Sequence, residues 1–371
     1  MKLHRIGSAA AVLTVAALAL TACGSDSPTA TAGTAASTGG SAAAVTGTLT
    51  GSGASSQKSA MEAWKAGFEA ANPGTMVQYS PDGSGAGRKA FLAGGAQFAG
   101  SDAYLKDEEI ESSKQVCGPE GAFNVPAYVS PIAVAFNLPG VETLNLDAAT
   151  IAKIFKLEIT KWNDPAIAAT NEGVALPDTA ITVVHRNDES GTTENFVDYL
   201  SVAAKDVWTY EVSGDWPKDL ASENAKGTSG VVATTTGTEG AITYADHSAV
   251  GKLGTVNVKV GADFTKISSE AAAKGVEAAT PVEGRGALDM SLDLKRDTTE
   301  SGSYPIILVS YHVFCSSYKD QATVDLVKSF GEYVLSEAGQ KEAAASAGNA
   351  PLSAKMSEAA IKSIDSIKVG S

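Results

Sequence analysis

Basic residues are in short supply: 28 Lys and Arg face 42 Asp and Glu, and the 371-residue chain carries a formal charge of −14. That balance disfavours a nucleic-acid or anionic-membrane surface as partner, because either needs a clustered positive face. Histidine numbers four and cysteine three. His185, His247 and His312 show no metal-ligand spacing, and His4 stands at the extreme N-terminus, so no metal centre is written into the chain. The glycine-rich turns lack the lysine of a nucleotide-binding loop. Glu189-Ser190-Gly191 lacks the glycine of a nucleophile elbow, since position 188 is Asp, and no ordered triad is visible. What is abundant is apolar content, 44% of the residues, enough to bury core in two domains.

One stretch stands out, His185-Arg186-Asn187-Asp188-Glu189-Ser190-Gly191-Thr192-Thr193. It follows the apolar run Ile181–Val184 and precedes Phe196, Tyr199 and Leu200 at helical spacing, which implies strand, loop and helix. Ser190-Gly191-Thr192 then opens the helix with N–H groups that have no intrahelical partner, and Arg186 adds a cation just upstream. This is an oxyanion cradle. An acidic chain can still hold an anion there, since exposed carboxylates farther away than roughly 8–10 Å are screened.

At the N-terminus, Lys2 and Arg5 precede the apolar stretch Ala9–Leu20, the pattern of a secretory signal and too short to span a bilayer comfortably. Loss of residues 1–22 takes the formal charge from −14 to −16. The segment ends in Leu20-Thr21-Ala22-Cys23, which resembles the lipobox of bacterial lipoproteins and implies lipid (palmitate) on Cys23 and attachment to the outer face of the cell membrane. Cys117 and Cys315 remain, and in an exported, oxidising compartment they are expected to pair. Residues 23–45 are rich in Ser, Thr, Ala and Gly, with no aromatic residue, and read as a flexible tether with a reach of roughly 25 Å.

The folded sequence starts with a strand around Thr46–Thr50 and a glycine-rich turn, followed by a helix whose Met61, Trp64, Phe68 and Ala71 form one stripe. Ser55 or Ser56 stands where its N-cap belongs. A second such unit follows: strand Met76–Tyr79, turn Asp82–Gly87, and a helix with Phe91 and Leu92. Asp102 comes directly after a short apolar segment, at the C-terminal edge of a further strand. Alternating strands and helices indicate an α/β fold with mainly parallel sheets, whose ligands bind in the crevice beyond those edges. Val125–Asn137 and the run near Tyr304–Val309 read as two extended crossings between lobes. They make the first lobe discontinuous, 46–127 with 305–371, and the second 128–304. Cys117 and Cys315 then share one lobe, and closing their loop of about 200 residues is worth up to about 5 kcal/mol in the chain-entropy model.

Each of Ser55, Ser56 and Ser84 alone is explained by helix capping, which needs no ligand. Their coincidence with Arg186 and Asp102 at corresponding edges points to an anion. A carboxylate beside an anion repels it unless the ligand carries a proton. Hydrogen phosphate can donate to Asp102, whereas ionised sulfate presents only lone pairs. Asp188 is placed to orient Arg186. A surface ion pair of the same two residues would contribute only about 0–1 kcal/mol.

Taken together, Gly51–Ser55, Gly83-Ser84-Gly85, Ser101-Asp102-Ala103, Ile154-Phe155 with Ile159–Pro165, and Arg186 with Ser190-Gly191-Thr192 resemble the phosphate-binding lipoproteins of bacterial ABC-type phosphate importers, in their actinobacterial or Gram-positive form. The resemblance covers nearly the whole chain after residue 22. It implies a periplasmic-binding-protein fold of the second type, two lobes on a two-strand hinge closing on inorganic phosphate and presenting it to membrane permease subunits. It further implies phosphate contacts from Ser55, Ser56, Ser84, Asp102, Arg186, Ser190, Gly191 and Thr192, with Asp188 behind the arginine. Ser56 departs from several relatives, which are aromatic there; a backbone contact survives that change. A monomer without cofactor, metal or catalysis is expected. The alternatives are the same fold tuned to sulfate or molybdate or used as a sensor or adhesin, and a secreted phosphoester hydrolase, which would need a nucleophile or metal cluster that the sequence does not offer.

Overall fold

The computed structural model describes residues 45–370. The expected signal segment 1–22, Cys23, and all of the expected tether except Val45 lie outside the described residues. The chain builds two strand–turn–helix units first: β1 (Gly47–Gly53) and α1 (Lys58–Ala71), then β2 (Thr75–Ser80) and α2 (Ser84–Leu92). Next come β3 (Phe98–Ser101) and α3 (Asp107–Cys117). The stripe on α1 buries Met61, Trp64 and Phe68, and the Trp64 indole N–H donates to Gly339 O at 2.9 Å. Its N-cap is Gln57, without a side-chain capping bond, so neither Ser55 nor Ser56 is spent on capping as expected.

Strand β4 (Ala122–Phe136) is long and buried throughout. After it come β5 (Thr143–Leu146), α4 (Ala148–Phe155) and the single turn α5 (Pro165–Ala168), then β6 (Thr182–Arg186) and α6 (Gly191–Ala203). The order continues with β7 (Glu223–Ala225), α7 (Gly227–Gly237), β8 (Ala241–Asp246), β9 (Gly254–Val260), β10 (Asp263–Thr265) and α8 (Ser269–Glu277). A returning strand, Ile307–Cys315, precedes three helices: α9 (Gln321–Leu335), α10 (Glu337–Ala347) and α11 (Ala354–Asp365).

The sheet order is β2-β1-β3, returning strand, β4-β8-β6-β7, with β9 beside the end of β4 and carrying β5 and β10. Pairing is parallel at both ends, β2-β1-β3 and β8-β6-β7, and antiparallel where β4 and the returning strand enter. Strand β4 changes partner midway: the returning strand reaches Pro131, and β8 takes over from Ile132. One chain segment thus belongs to both halves of the sheet. Each half is covered by helices packing apolar faces on it, as a parallel arrangement requires. The crossing β4 carries Pro126 and Pro131, which lack an N–H for the ladder and mark the bulge and the partner change.

Cys117, at the end of α3, is bonded to Cys315, at the end of the returning strand. The expected pairing is present and joins elements of the same sheet half.

Among the described residues, Leu157 is the one non-glycine residue with positive φ, at 63°. It follows α4 and is partly exposed, so its side chain gains little packing in return for a left-handed backbone. Leu157→Gly is expected to raise the unfolding free energy by about 1 kcal/mol in denaturant titrations. No change, or a loss, would show that the leucine side chain outweighs its backbone strain.

Candidate functional site

The site lies where the C-terminal ends of β1, β3 and β6 meet the starts of α1, α2, α6 and α7. Arg186 ends β6, is 3% exposed, and has its backbone N–H on Tyr244 Oη at 3.3 Å. Its Nε donates to Asp188 Oδ1 at 2.7 Å and its Nη2 to Oδ2 at 2.5 Å. The fork-to-fork geometry fixes the guanidinium plane. Asp188 Oδ1 also accepts the Gly227 N–H at 3.0 Å, so the first residue of α7 holds the carboxylate from behind. Burial pushes the Asp188 carboxyl up, but Arg186 and the Gly227 N–H more than offset this and leave it below its ordinary value. Among the described residues no acceptor bonds Arg186 Nη1, which leaves a fixed cationic edge.

Across from Arg186, Asp102 follows β3 and is 3% exposed. Ser56 Oγ straddles its two carboxylate oxygens at 2.8 and 2.7 Å, Ser310 Oγ donates to Oδ1 at 2.7 Å, and Thr192 Oγ1 to Oδ2 at 2.9 Å. Burial raises the Asp102 carboxyl, opposed by those three hydroxyls and by Arg186. Its backbone is pinned as well: N–H to Ser84 Oγ at 3.2 Å, and C=O from Asn195 Nδ2 at 2.7 Å. Two oxygens with about four lone-pair positions, shared by three hydroxyls, leave room for about one further donor.

The remaining expected residues sit in the same place. Ser55 Oγ lies 3.0 Å from Thr228 Oγ1 and accepts the Thr228 N–H at 3.0 Å. Ser84 is the first residue of α2, not its cap, which is Gly83. Ser190 does cap α6, accepting from Thr193 N at 3.2 Å, and gives its own N–H to Gly214 O at 2.9 Å, so only its hydroxyl proton is free to donate outward. Gly191 is packed tightly: a Cβ there would lie 2.8 Å from Ala103 N, Asp102 Cβ and Ser84 Oγ. Only glycine lets the start of α6 approach the Asp102 loop this closely. Ser56, Ser84 and Thr192 thus bond directly to Asp102, Gly191 packs against it, and Ser55, Arg186, Asp188 and Ser190 stand on the neighbouring loops.

Sequence reasoning missed Ser310, Thr228, Gly227 and Asn195. Ser310 sits in the returning strand beside a register shift whose extra residue is Ala127 of β4, and Gln57 Nε2 donates to its Oγ at 2.8 Å. Gly227-Thr228 after Lys226 is another helix start with a small residue and a hydroxyl, the signal that had already singled out Ser190-Gly191-Thr192. His185 is buried, stacks on Trp216 with ring centroids 5.1 Å apart, and places Nδ1 2.8 Å from the Arg186 carbonyl, a supporting core role. Among the described residues no cluster of three His, Cys, Asp or Glu could hold a metal ion, and no helix is long and apolar enough to cross a membrane.

A family model described as a PBP superfamily domain matches residues 34–338. The phosphate-binding protein PstS 3 of Mycobacterium leprae (strain TN) is 40% identical over 338 residues, spanning 89% of this chain and 90% of that protein. The phosphate-binding protein PstS 2 of Mycobacterium tuberculosis (strain ATCC 25618 / H37Rv) is 37% identical with the same coverage. Among solved structures, the phosphate-binding protein from Stenotrophomonas maltophilia superposes with a TM-score of 0.66 over 85% of this chain and 93% of its own, at 21% identity, a likeness of fold.

A second buried carboxylate, Asp246, closes β8 opposite Ile132 of β4, where β4 changes partner. Burial pushes it up to about 6, opposed by Ser248 and Ser130; the Ser248 hydroxyl and N–H bond Oδ1 at 2.5 and 3.0 Å, while among the described residues Oδ2 has no hydrogen-bond partner. A carboxyl raised in the folded state binds more protons there than in the unfolded chain. Its contribution is therefore fully present below the unfolded value near pH 4 and is lost as pH rises through about 6. The loss is on the order of 2–3 kcal/mol. Asp246→Asn should remove that fall from the stability–pH profile between about pH 4 and 6; a profile parallel to the wild type would assign the slope to other groups.

Proposed function

Because the chain belongs to the PBP superfamily and, within it, to the PstS phosphate-binding proteins, we propose that it is a receptor that binds inorganic phosphate between two closing lobes and delivers it to the permease of an ABC-type importer. The observation that carries this reading is the pairing of a fixed, buried Arg186 edge with the buried, hydroxyl-bonded Asp102 across one point. The lobes are 46–127 with 305–371, and 128–304, with β4 and the run into the returning strand as the hinge. Ser55, Ser56, Ser84 and Asp102 come from the first lobe, and Arg186, Ser190, Gly191 and Thr192 from the second.

In this reading Arg186 supplies attraction through Nη1, the N–H groups of Gly191 and Thr192 and the serine hydroxyls bind the oxygens, and Asp102 accepts the proton of hydrogen phosphate. The phosphate O–H takes the one acceptor position that the three hydroxyls leave on Asp102. Sulfate, with no proton to give, meets a carboxylate lone pair instead. A site built around a ligand O–H rejects the analogue lacking it by about 10⁴–10⁵. The protein acts as a binding protein and not as an enzyme. It works as a monomer outside the cytoplasm, held to the membrane by lipid on Cys23 through the tether 23–45.

Titration of the purified protein by calorimetry or tryptophan fluorescence tests the site. Phosphate should bind at least 10³-fold more tightly than sulfate, Asp102→Asn should narrow that gap, and Arg186→Ala should abolish binding of both. Equal affinities for the two anions in the wild type would remove Asp102 from the mechanism.

The same reading has a chemical check at the N-terminus: intact-mass measurement of membrane-extracted protein should find lipid on Cys23. An unmodified Cys23, or a mature chain starting elsewhere, would discard the anchor.

A further inference from the structure

Glu189 stands between Asp188 and the Ser190 cap, yet makes none of the anion contacts assigned above. Its side chain crosses to α2 in the opposite sheet half: Arg88 Nη2 donates to Oε1 at 2.8 Å and Lys89 Nζ to Oε2 at 2.7 Å. The Glu189 carbonyl accepts the Gly85 N–H at 3.4 Å, and a Cβ on Gly85 would lie 2.3 Å from Glu189 Cδ. A side chain at residue 85 would press directly on the Glu189 side chain. Arg88 is 1% exposed with each of its three nitrogens engaged, Nε on Glu109 Oε1 at 2.9 Å and Nη1 on Ser101 Oγ at 3.1 Å. Ser101 precedes Asp102. A single guanidinium thus ties α3, the loop presenting Asp102, and the loop presenting Arg186.

We propose that Glu189 is an interlobe latch, a positioning residue whose pairing with Arg88 holds the lobes together around the bound anion and slows its release. The proposal rests on the two-lobe phosphate reading above. The chemistry suits a reversible closure. When the lobes part, Arg88 keeps Glu109 and is not left as a buried unpaired charge, and Glu189 passes into water. Neither side is trapped. The two rungs differ in weight: the Lys89 side chain is 74% exposed and its pair is largely screened, whereas the Arg88 and Glu189 side chains are 2% and 25% exposed. Burial raises the Glu189 carboxyl, but Lys89 and Arg88 bring it below its ordinary value, so it is ionised at neutral pH. The latch loop is also the anion loop, so phosphate on Arg186 and Ser190 favours the latched arrangement.

The test combines stopped-flow phosphate release with small-angle scattering on the purified protein and on Glu189→Gln and Lys89→Ala. Glu189→Gln should speed release about tenfold, leave the association rate within about twofold, and raise the radius of gyration with and without phosphate, while Lys89→Ala changes release by less than about twofold. A general packing defect would instead lower the thermal midpoint without phosphate and slow association. Release from Glu189→Gln at the wild-type rate, with unchanged scattering, would overturn the latch. Should the wild type fail to bind phosphate at all, the phosphate reading falls, and the scattering comparison still decides the latch: a larger Glu189→Gln supports it and an unchanged one overturns it.

Discussion

The candidate site depends on the Arg186–Asp188 pair. A guanidinium buried at the end of a strand is tolerable only where its charge is answered, and Asp188 answers it through two parallel hydrogen bonds. Those bonds use one edge of the group. Tyr244 holds the backbone beneath it, and Gly227 holds the carboxylate, so the other edge is aimed before any ligand arrives. The start of α6 lies alongside, capped by Ser190, with the Gly191 and Thr192 N–H groups free of the helix ladder. The cation and the free N–H groups fall within the one stretch Arg186–Thr192 because a strand, a turn and a helix start follow each other there.

Opposite that loop the protein places a carboxylate, which by charge alone should repel what Arg186 attracts. Three hydroxyls and a buried position make Asp102 a demanding acceptor, one that accommodates a ligand oxygen bearing hydrogen. In the proposed reading selectivity and affinity come from different halves of the sheet, and a ligand that satisfies both holds those halves together. The long β4, shared between the halves, supplies the mechanical connection.

Much of this was legible in the sequence because it is local. Strand, small-residue turn and helix appear as apolar runs broken by glycine and serine, and Arg186, Asp188, Ser190, Gly191 and Thr192 fall within one such unit. Asp102 could be placed at a strand edge from Phe98–Ser101 before it. Ser310 could not, because it lies in a strand buried throughout, and its neighbours Val309 and Tyr311 suggest nothing but core. Thr228 and Asn195 are likewise functional only through partners about 170 and 90 residues distant. The serines show the opposite error. Ser55 and Ser56 satisfied a capping pattern, but the helix begins later, at Lys58, and their hydroxyls are spent across the site. Glu189 and Arg88 are ordinary charged residues on paper, and only tertiary packing joins them.

A crystal structure of the protein grown with phosphate decides whether one phosphate is shared between the two halves. One tetrahedral ion is expected within hydrogen-bond distance of Arg186 Nη1 and the Gly191 and Thr192 N–H groups on one side, and of Asp102 and the Ser55 and Ser84 hydroxyls on the other. An ion touching only one of these two sets, or phosphate seated away from Arg186, would contradict it.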